Sequence, residues 1–399
     1  MLNFLQDKSE KKVEYIELIY DLIFVYLVSR NGALLQNIED GFIPIMTGAS
    51  YLASTLIILQ IWSFHTLFIN RYGCGSPTEY LGIFINMYLL YFMADGIRVD
   101  WGVRYYRYNL AWGLILLNLA LQYFLRLRRY PCTSPWERKH MRTWILTLTA
   151  EAALVLVSIP VYLTTGYALG VWAMICGFAV PVLTYRTERM VPVDFPHLSE
   201  RVMLYVVFTF GEMVLGIAGY FTGLVNGWTV YYSAMAFLVV AGLFTSYGTF
   251  YNHLLDREKT TAATGYMALH IVLILALNNI TASLEFMREW KVLWVPKTIF
   301  MVVSLLIFFL CLLGTQHYAK TRVTGGKRFY WSMAGMFLAY CLVTALCYTR
   351  SYLSIAVTTL FIFLQLYALK KASKSIPAVQ PEAPEACTDE ETSSNSSLF

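Results

Sequence analysis

Apolar runs of about 20 residues, enough to cross a hydrocarbon layer of about 30 Å as a helix, recur along nearly the whole chain. Twelve such runs cover approximately 16–35, 42–69, 80–97, 105–125, 143–165, 166–185, 201–221, 228–250, 262–284, 292–313, 329–348 and 352–369. Charged or Pro/Gly-rich breaks separate all but the fifth and sixth, where Pro160 is the main interruption. A water-facing surface needs charge, and the chain is 58% apolar with only 14% charged residues, against about 25% charged in a typical soluble domain. The fold class that follows is an all-α polytopic integral membrane protein with about twelve transmembrane helices.

The short loops carry an orientation signal. Cytoplasmic loops collect Lys and Arg, and with twelve spans 22 of the 30 Lys and Arg residues fall on the side of the N-terminus. Both termini are therefore expected in the cytoplasm, and merging the fifth and sixth spans would spoil the bias. The expected organisation is a cytoplasmic segment 1–15, a first membrane half 16–185, a cytoplasmic linker 186–200, a second membrane half 201–369 and a disordered cytoplasmic tail 370–399. The tail reading rests on its Pro, Ser, Thr and acidic content, which offers little to bury.

The same composition excludes other classes. The +5 formal charge is scattered through loops, with no basic helix or aromatic-interleaved basic patch of the kind nucleic-acid binders show, so nucleic acid is not a partner. The 7 cysteines form no C-x-x-C pair, and no metal spacing, phosphate loop or serine-nucleophile motif is present, so neither a metal nor a cofactor is expected.

Ionisable residues inside spans cost about 2.5–3.5 kcal/mol each on insertion scales, which makes them functional candidates. Glu14, Glu17 and Asp21 stand at i, i+3 and i+7 in the first span, on one helical stripe that must face protein or water. Glu14 reads as a dipole-complementing residue at the helix start; Glu17 and Asp21 are the candidates. In the seventh span Glu212 shares a face with Gly216 and Gly219, small residues that let another helix approach. Asp194 or Ser199 reads as the cap of that helix, with Glu200 and Arg201 at the interface. Weaker candidates are Glu151, His65, His253, and His270 with Asn278 and Asn279.

ELIYDLIFVY, holding Asp21, aligns with TFGEMVLGIA, holding Glu212, at an offset of 191. Six spans separate them, the arrangement of a parallel six-plus-six repeat.

KKVEYIELIYDLIFVYLVS and HLSERVMLYVVFTFGEMVLGIAG resemble the two signature helices of the bacterial low temperature requirement A family. INRY at 69–72, which contains Arg71, is a third and weaker match. The resemblance implies a polytopic protein of the bacterial plasma membrane linked to growth in the cold. It carries Glu17, Asp21, His197, Glu200, Arg201, Gly211 and Glu212 as pattern residues. Met213 departs from the pattern, where the family often has serine, so no hydroxyl stands beside Glu212.

Three functions compete. A secondary transporter or ion permease would use Glu17, Asp21 and Glu212 to couple a proton or cation to an unknown small solute. A non-catalytic membrane-adaptation scaffold would use the acids only to tie helices together. A lipid-modifying enzyme would use Glu17 and Asp21 as an acid/base pair, yet no nucleophile or metal constellation supports it, so the chain is read as not an enzyme. The bilayer is the evident partner, and an oligomer is compatible with all three.

Overall fold

The structure is a computed structural model that describes residues 12–97, 101–221, 225–320 and 326–374. The order is α1 (Tyr15–Gly32), α2 (Ile45–Tyr72), α3 (Pro77–Asp95), α4 (Trp101–Arg129), α5 (Pro135–Thr165), α6 (Gly170–Leu183), α7 (Tyr185–Met190), α8 (Phe195–Ala218), α9 (Gly227–His253), α10 (Thr264–Arg288), α11 (Trp294–Gly314), α12 (Gly326–Cys347) and α13 (Ser351–Lys374). The described residues hold no strand beyond isolated bridges. Twelve of these helices coincide with the twelve apolar runs; the thirteenth, α7, is a 6-residue helix in the connection ahead of α8.

Ten helices are long and apolar enough to cross a membrane among the described residues. The two others that match apolar runs are α3 and α6. The 14 residues of α6 extend about 21 Å, short of a full hydrocarbon crossing. On α3, Leu81, Phe84, Tyr88 and Tyr91 are all exposed, a one-sided apolar stripe of the kind a lipid-facing helix shows.

The fifth and sixth runs are separate helices. Gly166 stops α5 in the left-handed region at φ +73 and donates its N–H to the carbonyl of Tyr162, a helix end that glycine adopts without a Cβ penalty. Pro160 lies inside α5 and does not end it. That helix also starts earlier than its apolar run, because Ser134 accepts from the Glu137 N–H and Pro135 stands in the first turn, which nucleates helix through a charged stretch. At the other end of the chain α13 continues to Lys374. The expected tail beyond it, 375–399, and residues 1–11 lie outside the described residues.

Among the first six helices, α1 packs on α2 and α3, α3 on α4, α4 on α5, α5 on α6, and α2 on α6. The same neighbour scheme recurs with α8 on α9 and α10, α10 on α11, α11 on α12, α12 on α13, and α9 on α13. Helices α1, α2, α8 and α10 meet in the middle, and α2 is buried along most of its length. That centre positions the site.

Candidate functional site

Helix α1 brings two carboxylates to its buried side, and α8 brings one guanidinium to meet them. Arg201 Nε donates to Asp21 Oδ2 at 3.0 Å and Nη2 to Asp21 Oδ1 at 2.8 Å, a bidentate fork. Its Nη1 donates to Glu17 Oε2 at 2.8 Å. Arg201 and Asp21 are each 0% exposed and Glu17 is 3% exposed. Trp62 of α2 completes Asp21 by donating its indole N–H to Oδ1 at 2.9 Å. The planar fork suits this task, since it satisfies both oxygens of one carboxylate and still reaches a second.

A second layer holds the clasp. Asn70 of α2 accepts from the Asp194 N–H at 2.9 Å and donates to the Asp194 carbonyl at 2.8 Å. The side chain of Asp194 in turn caps α8 by accepting from the His197 N–H. Those two bonds orient the Asn70 amide, so its Nδ2, 3.0 Å from His197 Nδ1, donates there. The imidazole proton then sits on Nε2, which faces Glu17 Oε1 at 3.4 Å. His65 lies beside the same cluster, 1% exposed, with its ring 4.3 Å from that of Tyr20 and neither nitrogen hydrogen-bonded.

The next residue of α2 builds a second buried network. Arg71 Nη1 pairs with Glu188 Oε2 of α7 at 2.8 Å; Glu188 Oε1 accepts from Trp144 Nε1 at 2.9 Å and lies 3.1 Å from His140 Nε2, toward which Arg71 Nη1 and Trp144 Nε1 also point at 3.1 Å each. Tyr72 places its hydroxyl 2.7 Å from His140 Nδ1. Asn70, Arg71 and Tyr72 thus reach, in succession, the start of α8, the α7 acid and the α5 histidine.

The matched sequence runs through all of these elements. Residues 12–368 fit the family model described as bacterial low temperature requirement A protein (LtrA). The chain belongs to this family. No curated protein matches it.

In this LtrA family member the first span's stripe is realised in part. Glu17 and Asp21 converge on one partner, whereas Glu14 is exposed and accepts from the Tyr80 hydroxyl at 2.8 Å. Arg201 is fully buried within the helix packing, where the two carboxylates of α1 supply its counter-charge. Glu200, one position earlier and turned away, is exposed.

Glu212 does not join the cluster. It is half-buried, and 11 positions from Arg201 correspond to about 16 Å along the helix. Gly216 does admit a neighbour, with Thr281 and Glu285 of α10 beside its open Cβ position, whereas a Cβ at Gly211 or Gly219 would meet nothing within 4 Å, and Arg288 of α10 donates to the Gly219 carbonyl at 3.2 Å. Of the weaker candidates, His270 is a satisfied core residue between the Tyr266 carbonyl at 2.8 Å and the Tyr247 hydroxyl at 3.3 Å. Asn278 bonds its own helix at the Ile274 carbonyl. His253 is exposed, whereas His65 is buried. No group of three or more His, Cys, Asp or Glu side chains is placed to hold a metal among the described residues.

Sequence reasoning missed Trp62, Asn70, His140 and Glu188. Each partners a residue of another helix, and no short spacing signals such a pairing. Glu151 of α5 is a different case. It is 2% exposed, neither carboxyl oxygen has a hydrogen-bond partner, and its oxygens fill the space that a Cβ at Gly177 of α6 would need, beside Gln60 of α2. A buried polar group without a partner costs about 1–3 kcal/mol. Glu151→Leu is accordingly expected to raise the melting temperature of the micelle-solubilised protein; an unchanged or lower value would show that the carboxyl is satisfied there.

Proposed function

We propose that this chain is a secondary transporter or ion permease in which Glu17 and Asp21, gripped by Arg201, couple proton or cation occupancy to the contact between α1 and α8. The reading rests on one observation: a single buried guanidinium faces two carboxylates across the junction of two helices. One carboxylate can take up a proton while the other keeps the guanidinium paired, so the strength of the α1–α8 contact follows proton occupancy. A ligand moves a conformational equilibrium only through such a difference between states. The recurring neighbour scheme supports a parallel six-plus-six arrangement, with α1 and α8 as the equivalent first helices of the halves. The 22 positive charges on the N-terminal side support cytoplasmic termini. Glu212 has no part in this clasp.

The test is a pH jump on reconstituted vesicles fused to a supported membrane, with monovalent cations, amino acids and sugars offered in turn. The wild type is expected to give a solute-dependent charge movement that changes with pH. Glu17→Gln should retain the solute response and lose the pH dependence, and Asp21→Asn should abolish both. If no solute moves charge, or both variants behave as wild type, the transporter reading fails. The scaffold reading would then lead, favoured by the fact that Arg201 and Trp62 satisfy both oxygens of Asp21. It requires cold growth to tolerate both isosteres.

A further inference from the structure

The turn between α4 and α5 opens a groove far from the buried clasp. It encloses about 810 Å³ and is lined by Arg128, Arg129, Arg138 and Arg142, and it continues into a neighbouring space of about 500 Å³ to which Lys139 contributes. Its walls are apolar, with Leu127, Ile145 and Leu146 beneath the guanidiniums. No carboxylate lines either space. The nearest acid in sequence, Glu137, is buried and turned back on Thr133, accepting from its N–H at 2.6 Å and its hydroxyl at 2.7 Å.

None of the four arginines pairs with an acid among the described residues. Arg128 lies over the Phe124 ring at 5.2 Å and Arg129 donates to the Thr78 hydroxyl at 2.9 Å. All four are exposed, so water can reach them, and so can a headgroup. The groove also stands where two membrane-length helices end and begin, and Phe124 and Leu146 are exposed beside it. A ligand seated there would hold anionic groups against the arginines and lay acyl chains along the apolar walls. Basic hollows between spans at one membrane face suit such headgroups. A phosphate is commonly gripped by a pair of guanidinium forks, and four forks with no competing acid match two phosphates.

From this charge complementarity we infer that the α4–α5 groove is a binding site for an anionic phospholipid carrying two phosphodiesters in one headgroup, diphosphatidylglycerol in chemical class. The inference goes beyond the transport reading and stands or falls without it.

Full-length protein in neutral detergent would be titrated with diphosphatidylglycerol, with phosphatidylglycerol at equal phosphate, and with inorganic phosphate, and bound lipid counted by native mass spectrometry. Diphosphatidylglycerol is expected to bind most tightly. With about one kcal/mol per cation near the surface, Arg138→Gln/Arg142→Gln should weaken it about thirtyfold. The melting temperature of the variant without lipid should equal that of the wild type, because both side chains are exposed. Equal binding of the two lipids, unaltered binding by the variant, or equivalent saturation by inorganic phosphate would each overturn the assignment.

Discussion

Arg201→Met is expected to remove about 3–5 kcal/mol of stability, the cost of leaving buried charge without its partner. Glu17 and Asp21, neighbours on one side of α1, would be left at the α1–α8 contact with only the Trp62 indole and the His197 ring at hand. The variant should accumulate poorly and melt far below the wild type in size-exclusion profiles of heated micelles. Removing all three charges together, as Glu17→Gln/Asp21→Asn/Arg201→Met, should recover much of the loss, because apolar or neutral replacements of a whole buried cluster are often tolerated. The difference between the single and triple variants measures the coupling. A single variant that melts with the wild type would show that the clasp holds nothing together.

Arg71→Met should cost a comparable amount, with an added signature in pH. Burial alone would push the Glu188 carboxyl up, but the His140 hydrogen bond and the Arg71 charge outweigh it and hold the group at about 2. A folded value below the unfolded one, about 4.3, means that this carboxylate contributes stability in full above that pH and loses it as the pH falls toward 2. Without Arg71 the acid limb of the melting curve should move to higher pH. Glu188→Gln should remove this group's share of the limb. Melting temperatures across the acid range check both outcomes, and an acid limb that Arg71→Met leaves in place would exclude the pairing as its source.

These partners show where sequence stops being informative. Asp21 is visible because a carboxylate within an apolar run has no local excuse, and the helical spacing of Glu17 and Asp21 already places both on one side. The burial of Arg201 is invisible by the same local logic: it lies six residues past the start of α8, and its enclosure depends on acids of another helix. Glu212 stands apart from the cluster because depth along a helix is legible in sequence but rotation toward neighbours is not. Glu188 had no signal at all, since an acid in a polar connection looks ordinary. The break between α5 and α6 hung on Gly166, whose positive φ cannot be distinguished in sequence from that of any other glycine in an apolar stretch.

The clasp also sets an order of events at the ribosome. Arg201 follows Asp21 by 180 residues and Glu17 by 184. At about 5–20 residues per second, synthesis leaves α1 waiting roughly ten to forty seconds for its guanidinium. Over that interval Trp62 is the earliest-made donor to Asp21. The nascent first helix therefore waits in the insertion machinery or the bilayer without the cation that pairs its acids, and the arrival of α8 supplies it.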